Sequence, residues 1–402
     1  MFLGLTAIES FFAIIVLFAL MALILPRKYI WVPMVITVLL MSYLAYRLDP
    51  NDSDDLSRYF MQLDYLRDYG HDYLQRCFDE NVNGNNWGTY RVCGYYFYFI
   101  SKLPNNYYMP AVTIFISYGL SFLVIYKAAQ RFSVEKMYVL LGCMFFLATY
   151  WYYDVCSGVR NGITFTVIVA CAYQHLVERK LIPLCYIGYA LASFMHSTGI
   201  MLVVLVLLAE LTLNTSGKFI NFMLVFGLIT GGAIMRYLSS VSDSEFVDSI
   251  AVRAESHQAG SSLYTDTNFL VNISVLVIVA LIVFYFAPAV KETDAETIIR
   301  RFTKFGSIVM YFMLGCLFSP LIFMRLARWV LPIVGAVMLM VGYSAKDEYM
   351  ANNDITFVKF YAPLKYRLRA NLQSLFNLMI VAYTAVHTWY MCAGSSVLWM
   401  HF

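Results

Sequence analysis

Three arginines at the ends of apolar segments have the right chemistry to bind an anion. Arg160 lies in a Ser-Gly-Val-Arg-Asn-Gly stretch that leads into a predicted helix, and Arg325 and Arg328 stand three residues apart in a very short predicted connection before Trp329. A guanidinium holds phosphate through two parallel hydrogen bonds, and a helix N-terminus also favours an anion. These residues predict a clamp for a phosphate or diphosphate group. The alternative is a set of interfacial arginines that face lipid headgroups.

A second group of side chains could transfer a proton. His196 lies in a Met-His-Ser-Thr-Gly break between apolar runs. It could accept a proton, donate as a neutral ring to a phosphate or sugar, or be purely structural. Asp55, Arg58 and Tyr59 stand at i, i+3 and i+4, so a helix would place them on one face. A carboxylate there could act as a base or orient a sugar hydroxyl, unless the acidic run 49–55 is simply a solvated loop.

The polar segment 239–266 contributes one more candidate, Arg253, together with Glu255, His257 and Tyr264. Its serine, aspartate and glycine content is typical of a mobile loop over a site, or else of a disordered connection. We count Arg253 among the predicted substrate-binding residues.

The composition indicates the environment in which these residues act. The chain has 402 residues, of which 61% are hydrophobic and only 13% are charged, with a mean hydropathy of +0.66. Soluble proteins carry about twice that charged fraction. The predicted fold class is therefore all-α, a polytopic helical membrane protein that spans the lipid bilayer. A net charge of only +3 makes nucleic acid an unexpected partner.

Apolar runs divide residues 1–402 into about twelve transmembrane helices, which we interpret as a single integral membrane domain without a soluble domain. The predicted spans are 5–25, 30–46, 109–129, 137–155, 161–177, 181–196, 197–213, 219–238, 267–288, 303–322, 329–345 and 371–391. Two polar outer loops, 47–108 and 239–266, lie on the same side. The aromatic stretch 87–104 predicts a short interfacial or re-entrant helix on that side.

The basic residues orient these spans. With the N-terminus outside, 17 of the 28 lysines and arginines lie inside, and ten of those 17 are lysines. The outer set contains ten arginines and one lysine: Arg47, Arg58, Arg67, Arg76, Arg91, Lys102, Arg160, Arg236, Arg253, Arg325 and Arg328. The positive-inside rule favours this orientation. It depends on residues 181–210 forming a hairpin that turns at His196, because a single helix there would invert every later segment.

Neither a metal nor a cofactor is predicted, because the chain has no Gly-rich phosphate loop, CxxC pair, GxSxG elbow or HExxH motif. Cys77 and Cys93 share the loop 47–108. They could form a disulfide if that loop is oxidised, or remain two free thiols.

The order of these motifs resembles a known family. An Asp-x-x-x-Tyr pattern (Asp55, Tyr59) is followed by Arg-Asn-Gly-Ile from Arg160, by Ala-Ser-Phe-Met-His-Ser-Thr over 192–198, and by the late Arg325 and Arg328. Over roughly residues 40–330 the chain resembles the EpsG family of bacterial exopolysaccharide polymerases, the Wzy-type enzymes.

The resemblance implies a function at the periplasmic face of the bacterial inner membrane. Such proteins join oligosaccharide repeat units carried on undecaprenyl diphosphate, and the lipid diphosphate of the growing chain is the leaving group. A separate protein that controls chain length is an expected partner. The resemblance implies that Arg160, His196 and Asp55 are catalytic, and that Arg325, Arg328, Arg58 and Tyr59 bind the diphosphate or sugar.

Two other functions stay open at this point. An O-antigen ligase-like glycosyltransferase would share the arginines but transfer the finished chain to a different acceptor. A flippase or transporter of the same lipid-linked sugar would need ionisable groups through the whole bilayer. The crowding of arginines on one face favours chemistry at a surface over transport.

Overall fold

The computed structural model describes residues 6–50, 55–80, 82, 87–213, 267–318, 320–352 and 364–393, and this part of the chain is all-helical, with no β-strand. Its α-helices are α1 (Ala7–Ile24), α2 (Trp31–Tyr46), α3 (Asp55–Asp79), α4 (Arg91–Ser101), α5 (Tyr108–Arg131), α6 (Lys136–Thr149), α7 (Tyr152–Ser157), α8 (Val159–Tyr173), α9 (Ile182–Met195), α10 (Thr198–Leu211), α11 (Thr267–Lys291), α12 (Ala295–Gly315), α13 (Pro320–Trp329), α14 (Leu331–Asn352) and α15 (Leu364–Ala393).

Several of these helices are long and apolar enough to cross a membrane, so the chain is a multi-pass membrane protein. Four qualify within the described ranges, namely α1, α2 with its preceding turn, α5 and α11, and a bent pair formed by α13 and α14 makes a fifth. The apolar helices α6, α9 and α10 have 14 residues each. At about 1.5 Å per residue they are shorter than a hydrocarbon core of about 30 Å. The count of twelve spans stays a prediction, and the span 219–238 lies outside the described residues.

The largest core surrounds α14, whose residues are buried on every side from Leu331 to Tyr343. A helix that is apolar all round belongs in the centre of a bundle, and α14 packs against α5, α6, α11, α12 and α13. This central helix positions the shorter α13 next to α8.

The predicted very short connection at residues 324–329 is wrong, because Arg325 and Arg328 lie within the helix α13. The chain continues from α13 into α14 through a bend of 41°. Pro332 in the first turn of α14 explains the break, because proline has no N–H to bond the carbonyl four residues earlier but is tolerated at a helix start. The arginines are therefore carried by the first helix of this bent pair.

A second, smaller core joins α3 and α4, which lie within the predicted outer loop 47–108, and we call these two helices with the residues just before α4 the outer unit. The predicted helix within 87–104 is present as α4, and it packs against a long helix, α3, that is not evident from the sequence pattern. The α3 helix bends at Gly70, whose φ of +60° is accessible to glycine at little steric cost. Buried residues of both helices join Val159 of α8 and Met195 of α9 in one apolar cluster. The unit therefore covers the start of α8 and the end of α9.

The hairpin predicted for residues 181–210 is confirmed as two separate helices that pack against each other, α9 and α10. Between them His196 adopts an extended conformation with φ −157° and ψ 141°. Cys77 and Cys93 are both buried in the outer unit as free thiols.

Candidate functional site

Arg160 is held at the start of α8 by the outer unit. Its Nε donates a hydrogen bond of 3.2 Å to the Tyr59 hydroxyl on α3, and its guanidinium carbon lies 5.7 Å from the centroid of the Tyr59 ring. Gly158 precedes the helix, and a Cβ there would meet the carbonyl oxygen of Asp154 at 2.5 Å. The tight turn therefore requires glycine. No acidic side chain of the described residues forms an ion pair with Arg160.

Arg325 approaches the same place from α13. The two helices are packed together, since Trp329 of α13 lies 5.6 Å from Phe165 of α8 between ring centroids. The charge of Arg160 and the hydroxyl of Tyr59 both act electrostatically on Arg325. Within the ranges that the structure describes, Arg325 forms neither an ion pair nor a hydrogen bond. Two partly buried guanidiniums are thus close enough to interact electrostatically, and neither forms an ion pair with a carboxylate of the described residues.

His196 completes this group from the turn between α9 and α10. Its Nδ1 accepts a hydrogen bond of 3.2 Å from the backbone N–H of Thr198 and lies 2.8 Å from the Thr198 hydroxyl. A backbone N–H can only donate, so the neutral ring carries its proton on Nε2. Burial, together with the charges of Arg160 and Arg325, lowers the pKa of His196 to about 3. The histidine is therefore a neutral donor through Nε2 at physiological pH.

The Tyr90 ring stacks over His196, with 6.2 Å between centroids and 21° between planes. Tyr90 precedes α4, so this contact joins the outer unit to the α9–α10 turn. We define the Arg160 site as Tyr59, Tyr90, Arg160, His196 and Arg325.

Arg328 lies in different surroundings from Arg325. It forms an ion pair with Asp154 of α7, its Nε donates to Asn272 of α11 at 3.2 Å, and its guanidinium carbon lies 3.9 Å from the Trp151 ring centroid. Three residues rotate a helix by about 300°, which leaves the two side chains about 60° apart. The predicted pairing of Arg325 with Arg328 in one clamp is corrected accordingly: Arg328 is neutralised by the protein itself.

Asp55, Arg58 and Tyr59 also do not share one environment, although they were predicted to lie on one face of a helix. Asp55 and Arg58 form an ion pair at the surface of α3, with 44% and 65% of their side-chain areas exposed, whereas Tyr59 is only 6% exposed and turns toward Arg160. Consecutive residues of a helix point about 100° apart, so Arg58 and Tyr59 cannot share a direction. Arg253 and the predicted loop 239–266 lie outside the described residues.

The model of the EpsG family matches residues 30–384, which is most of the chain. The chain belongs to the EpsG family. This membership indicates a membrane protein of the polysaccharide-polymerase type. No curated protein and no solved structure matches the chain.

Three residues in this EpsG-family chain were not anticipated from the sequence. Tyr90 and Thr198 position His196, and Asp154 neutralises Arg328. Asp154 had a usable signal, because an acid that follows the aromatic run 150–153 in a membrane segment needs a partner. Thr198 is two residues from His196, but only the turn geometry reveals their contact.

The described part of the chain offers no candidate metal centre, since no three histidine, cysteine, aspartate or glutamate side chains lie together there. The charge in the Arg160 site is positive, so the species that it would hold is an anion.

Proposed function

We propose that this EpsG-family protein polymerises lipid-linked oligosaccharide repeat units. The growing glycan is transferred from undecaprenyl diphosphate to a hydroxyl of the incoming repeat unit, and the lipid diphosphate leaves. The product is an exopolysaccharide, a capsule or an O-antigen. The donor needs no nucleotide and no cofactor, because the diphosphate is already the leaving group.

The observation that carries this proposal is the absence of an acidic partner for Arg160 and Arg325 within the described ranges. Two like charges that are partly removed from water repel each other, so the arrangement is unfavourable unless an anion lies between them. A departing diphosphate gains negative charge as the glycosidic bond breaks. Two fixed guanidiniums, together with the N-terminus of α8, would stabilise that charge in the transition state.

His196 supports the same anion in this proposal. Its Nδ1 is occupied by Thr198, so Nε2–H is the group available to donate to a phosphate or sugar oxygen. The geometry thus favours the neutral-donor role over the proton-acceptor role for this histidine. Tyr59 orients Arg160, and Tyr90 offers an aromatic face beside the histidine.

The acceptor sugar is assigned to the outer end of α3. Asp55 lies one helical turn before Tyr59 and Arg58 immediately before it, and both are at the surface, where the sugar part of an incoming lipid-linked repeat unit can reach them. We propose that Asp55 takes the proton of the acceptor hydroxyl and that Arg58 orients the sugar. Arg253, from the predicted loop over the site, is assigned to substrate binding.

Arg328 is a positioning residue in this scheme. Its ion pair with Asp154 joins α13 to α7, which immediately precedes α8. The pair therefore sets the relative position of the helices that carry Arg325 and Arg160.

We further propose the location and topology. The chain crosses the bacterial inner membrane twelve times as a single domain with its N-terminus outside, and the Arg160 site faces the periplasm. The positive-inside rule supports this orientation, and so does the division of residues 181–210 into two helices. A chain-length regulator is the proposed protein partner.

The test is the size profile of lipid-linked glycans in cells that lack the gene and carry either the wild-type protein or Arg160→Ala at matched protein level. We expect single repeat units on undecaprenyl diphosphate to accumulate in the deletion strain and with Arg160→Ala. Arg76→Ala removes an exposed arginine of α3 and should restore normal polymer.

Other profiles would contradict the proposal. Long polymer stranded on the carrier lipid would indicate a ligase. Repeat units that stay on the cytoplasmic side would indicate a flippase. Normal polymer with Arg160→Ala would show that Arg160 does not hold the diphosphate.

A further inference from the structure

A basic cleft lies at the opposite end of the helix bundle from the Arg160 site. It has a volume of about 290 Å³ and is bordered by α11, α12 and α14. The two ends are connected by α8, which starts beside Arg160 and ends at Tyr173, whose ring packs against Phe302 of α12 at 5.6 Å. With about 1.5 Å per helical residue, the cleft is about 20 Å from the Arg160 site.

Three cations line this cleft: Lys291 at the end of α11, and Arg300 and Lys304 on α12. Arg300 and Lys304 are one helical turn apart, so both face the cleft, and the charge of Arg300 acts on Lys304. Glu296 also lines the cleft and leaves its charge positive. No ion pair neutralises the three cations among the residues that the structure describes.

The neighbouring Arg301 on the same helix differs from Arg300, because its charge is balanced by a carboxylate. Its Nε lies 3.2 Å from Glu210, which also binds Arg179 at 2.7 Å. Arg301 therefore has a carboxylate partner from α10, whereas Arg300, one residue earlier, points into the cleft without one. The difference indicates that the charge at the cleft is available to a ligand.

The remaining lining of the cleft is mostly apolar. Val283, Ala287 and Val290 of α11 and Met338 of α14 form a wall beside the cations, and the hydroxyl-bearing Thr303 and Ser307 continue the α12 side. A ligand that fits both parts has an anionic phosphate next to a hydrocarbon chain. Basic pockets between membrane helices bind the headgroups of anionic lipids in this manner.

We propose that this cleft is a binding site for one anionic glycerophospholipid, whose phosphodiester contacts Lys291, Arg300 and Lys304 and whose acyl chain follows the wall on α11. This site is separate from the Arg160 site and does not depend on the polymerase proposal. In the proposed topology it faces the cytoplasmic leaflet.

The experiment is native mass spectrometry of the full-length protein in detergent, with phosphatidylglycerol or phosphatidylcholine added at equal concentration. We expect one phosphatidylglycerol to be retained in preference to phosphatidylcholine. Arg300→Gln and Lys304→Gln should each weaken the retention by about fivefold, as expected for one basic group near an anionic headgroup. Arg300→Lys keeps the charge and should retain the lipid.

Lys180→Gln is the matched control, because Lys180 is exposed on the same predicted face but does not line the cleft. It should leave phosphatidylglycerol retention unchanged. A thermal unfolding curve of each variant without added lipid verifies that it is folded, so that loss of lipid is not loss of structure.

Two outcomes would overturn the proposal. Equal retention of both lipids, unaffected by Arg300→Gln and Lys304→Gln, would mean that the cleft is not a lipid site. Displacement of phosphatidylglycerol by millimolar inorganic phosphate would mean that the cleft binds a soluble anion and that the acyl chain contributes nothing.

Discussion

Arg325 and Arg328 lie three residues apart on α13, but only one of the two forms an ion pair within the described part of the chain. Arg328 is paired with Asp154 and packed against Trp151, so its charge is balanced within the fold. Arg325 interacts electrostatically with Arg160 and His196 and has no acidic partner in the described part of the chain. Arg328 stabilises the structure, whereas Arg325 is retained in spite of its cost to stability.

This difference separates a structural cation from one that awaits a ligand. A buried pair becomes strongly unfavourable when one partner is removed, because the other charge is left uncompensated. Removal of one of two like charges has the opposite effect on folding, since it relieves repulsion. The sign of the stability change therefore distinguishes the two arginines independently of any activity measurement.

The largest effect is expected at the Arg328 pair. Asp154→Ala leaves the mostly buried guanidinium unpaired and should lower the free energy of unfolding by about 3 kcal/mol or more. Thermal unfolding in detergent measures it. The double variant Asp154→Ala with Arg328→Met should regain much of the loss, because no charge is left buried. A double variant whose loss equals the sum of the two single losses would show that the two side chains are not coupled.

The next largest effect is expected at Arg325, and it concerns activity and not stability. Arg325→Gln should reduce polymer formation by about 10²–10³-fold, the usual consequence of losing one group that stabilises transition-state charge. Its unfolding midpoint should stay constant or rise, because Arg160 loses a repulsive neighbour. Quantification of lipid-linked glycans and thermal unfolding of the same preparation measure both quantities. A midpoint that falls as it does in Asp154→Ala would remove the distinction between the two arginines.

A smaller effect is expected from the titration of His196. Its pKa is lowered to about 3 in the folded protein, whereas an exposed histidine titrates near 6.5. The unfolded chain therefore binds a proton more readily than the folded protein does. The contribution of neutral His196 to the free energy of unfolding is complete above pH 6.5 and is lost as the pH falls toward 3. Between pH 7.5 and 5.5 the wild-type protein should lose about 1 kcal/mol more stability than His196→Gln.

Thermal unfolding at both pH values checks this prediction. His71→Gln changes an exposed histidine of α3 and should keep the pH dependence of the wild-type protein. Equal pH dependence in wild type and His196→Gln would mean that His196 is protonated as easily in the folded protein as in the unfolded chain, which contradicts the neutral-donor role.

The smallest effect is expected at the exposed pair on α3. Arg58→Ala should change the free energy of unfolding by less than about 1 kcal/mol, because water screens an ion pair at this exposure. A urea or thermal unfolding series at low and high salt measures it. A loss as large as that of Asp154→Ala would show that the Asp55–Arg58 pair is shielded from water.

Local features of the sequence were sufficient for several of these elements. The apolar runs at 5–25, 30–46, 109–129 and 267–288 correspond to α1, α2, α5 and α11, because about twenty apolar residues admit few structures other than a spanning helix. The break at His196 was predicted from its polar neighbours. The aromatic stretch that forms α4 was predicted as a helix outside the spans.

Other elements could not be obtained from local features. The segments that form α6, α9 and α10 were predicted to span the membrane, but with 14 residues each they are shorter as helices than the hydrocarbon core. The long helix α3 was not anticipated, because its polar surface resembles a loop and its apolar side becomes evident only against α4.

The sequence by itself determined the class of the protein, its family and the residue types that can bind an anion: arginines that are always charged and a histidine in a turn. Only the tertiary structure decided which of those arginines have their charge balanced. Asp154 reaches Arg328 across 174 residues, and Tyr59 reaches Arg160 across 101. The physical reason is that the free energy of a charge depends on its neighbours in space and on its access to water, and the bundle sets both of these.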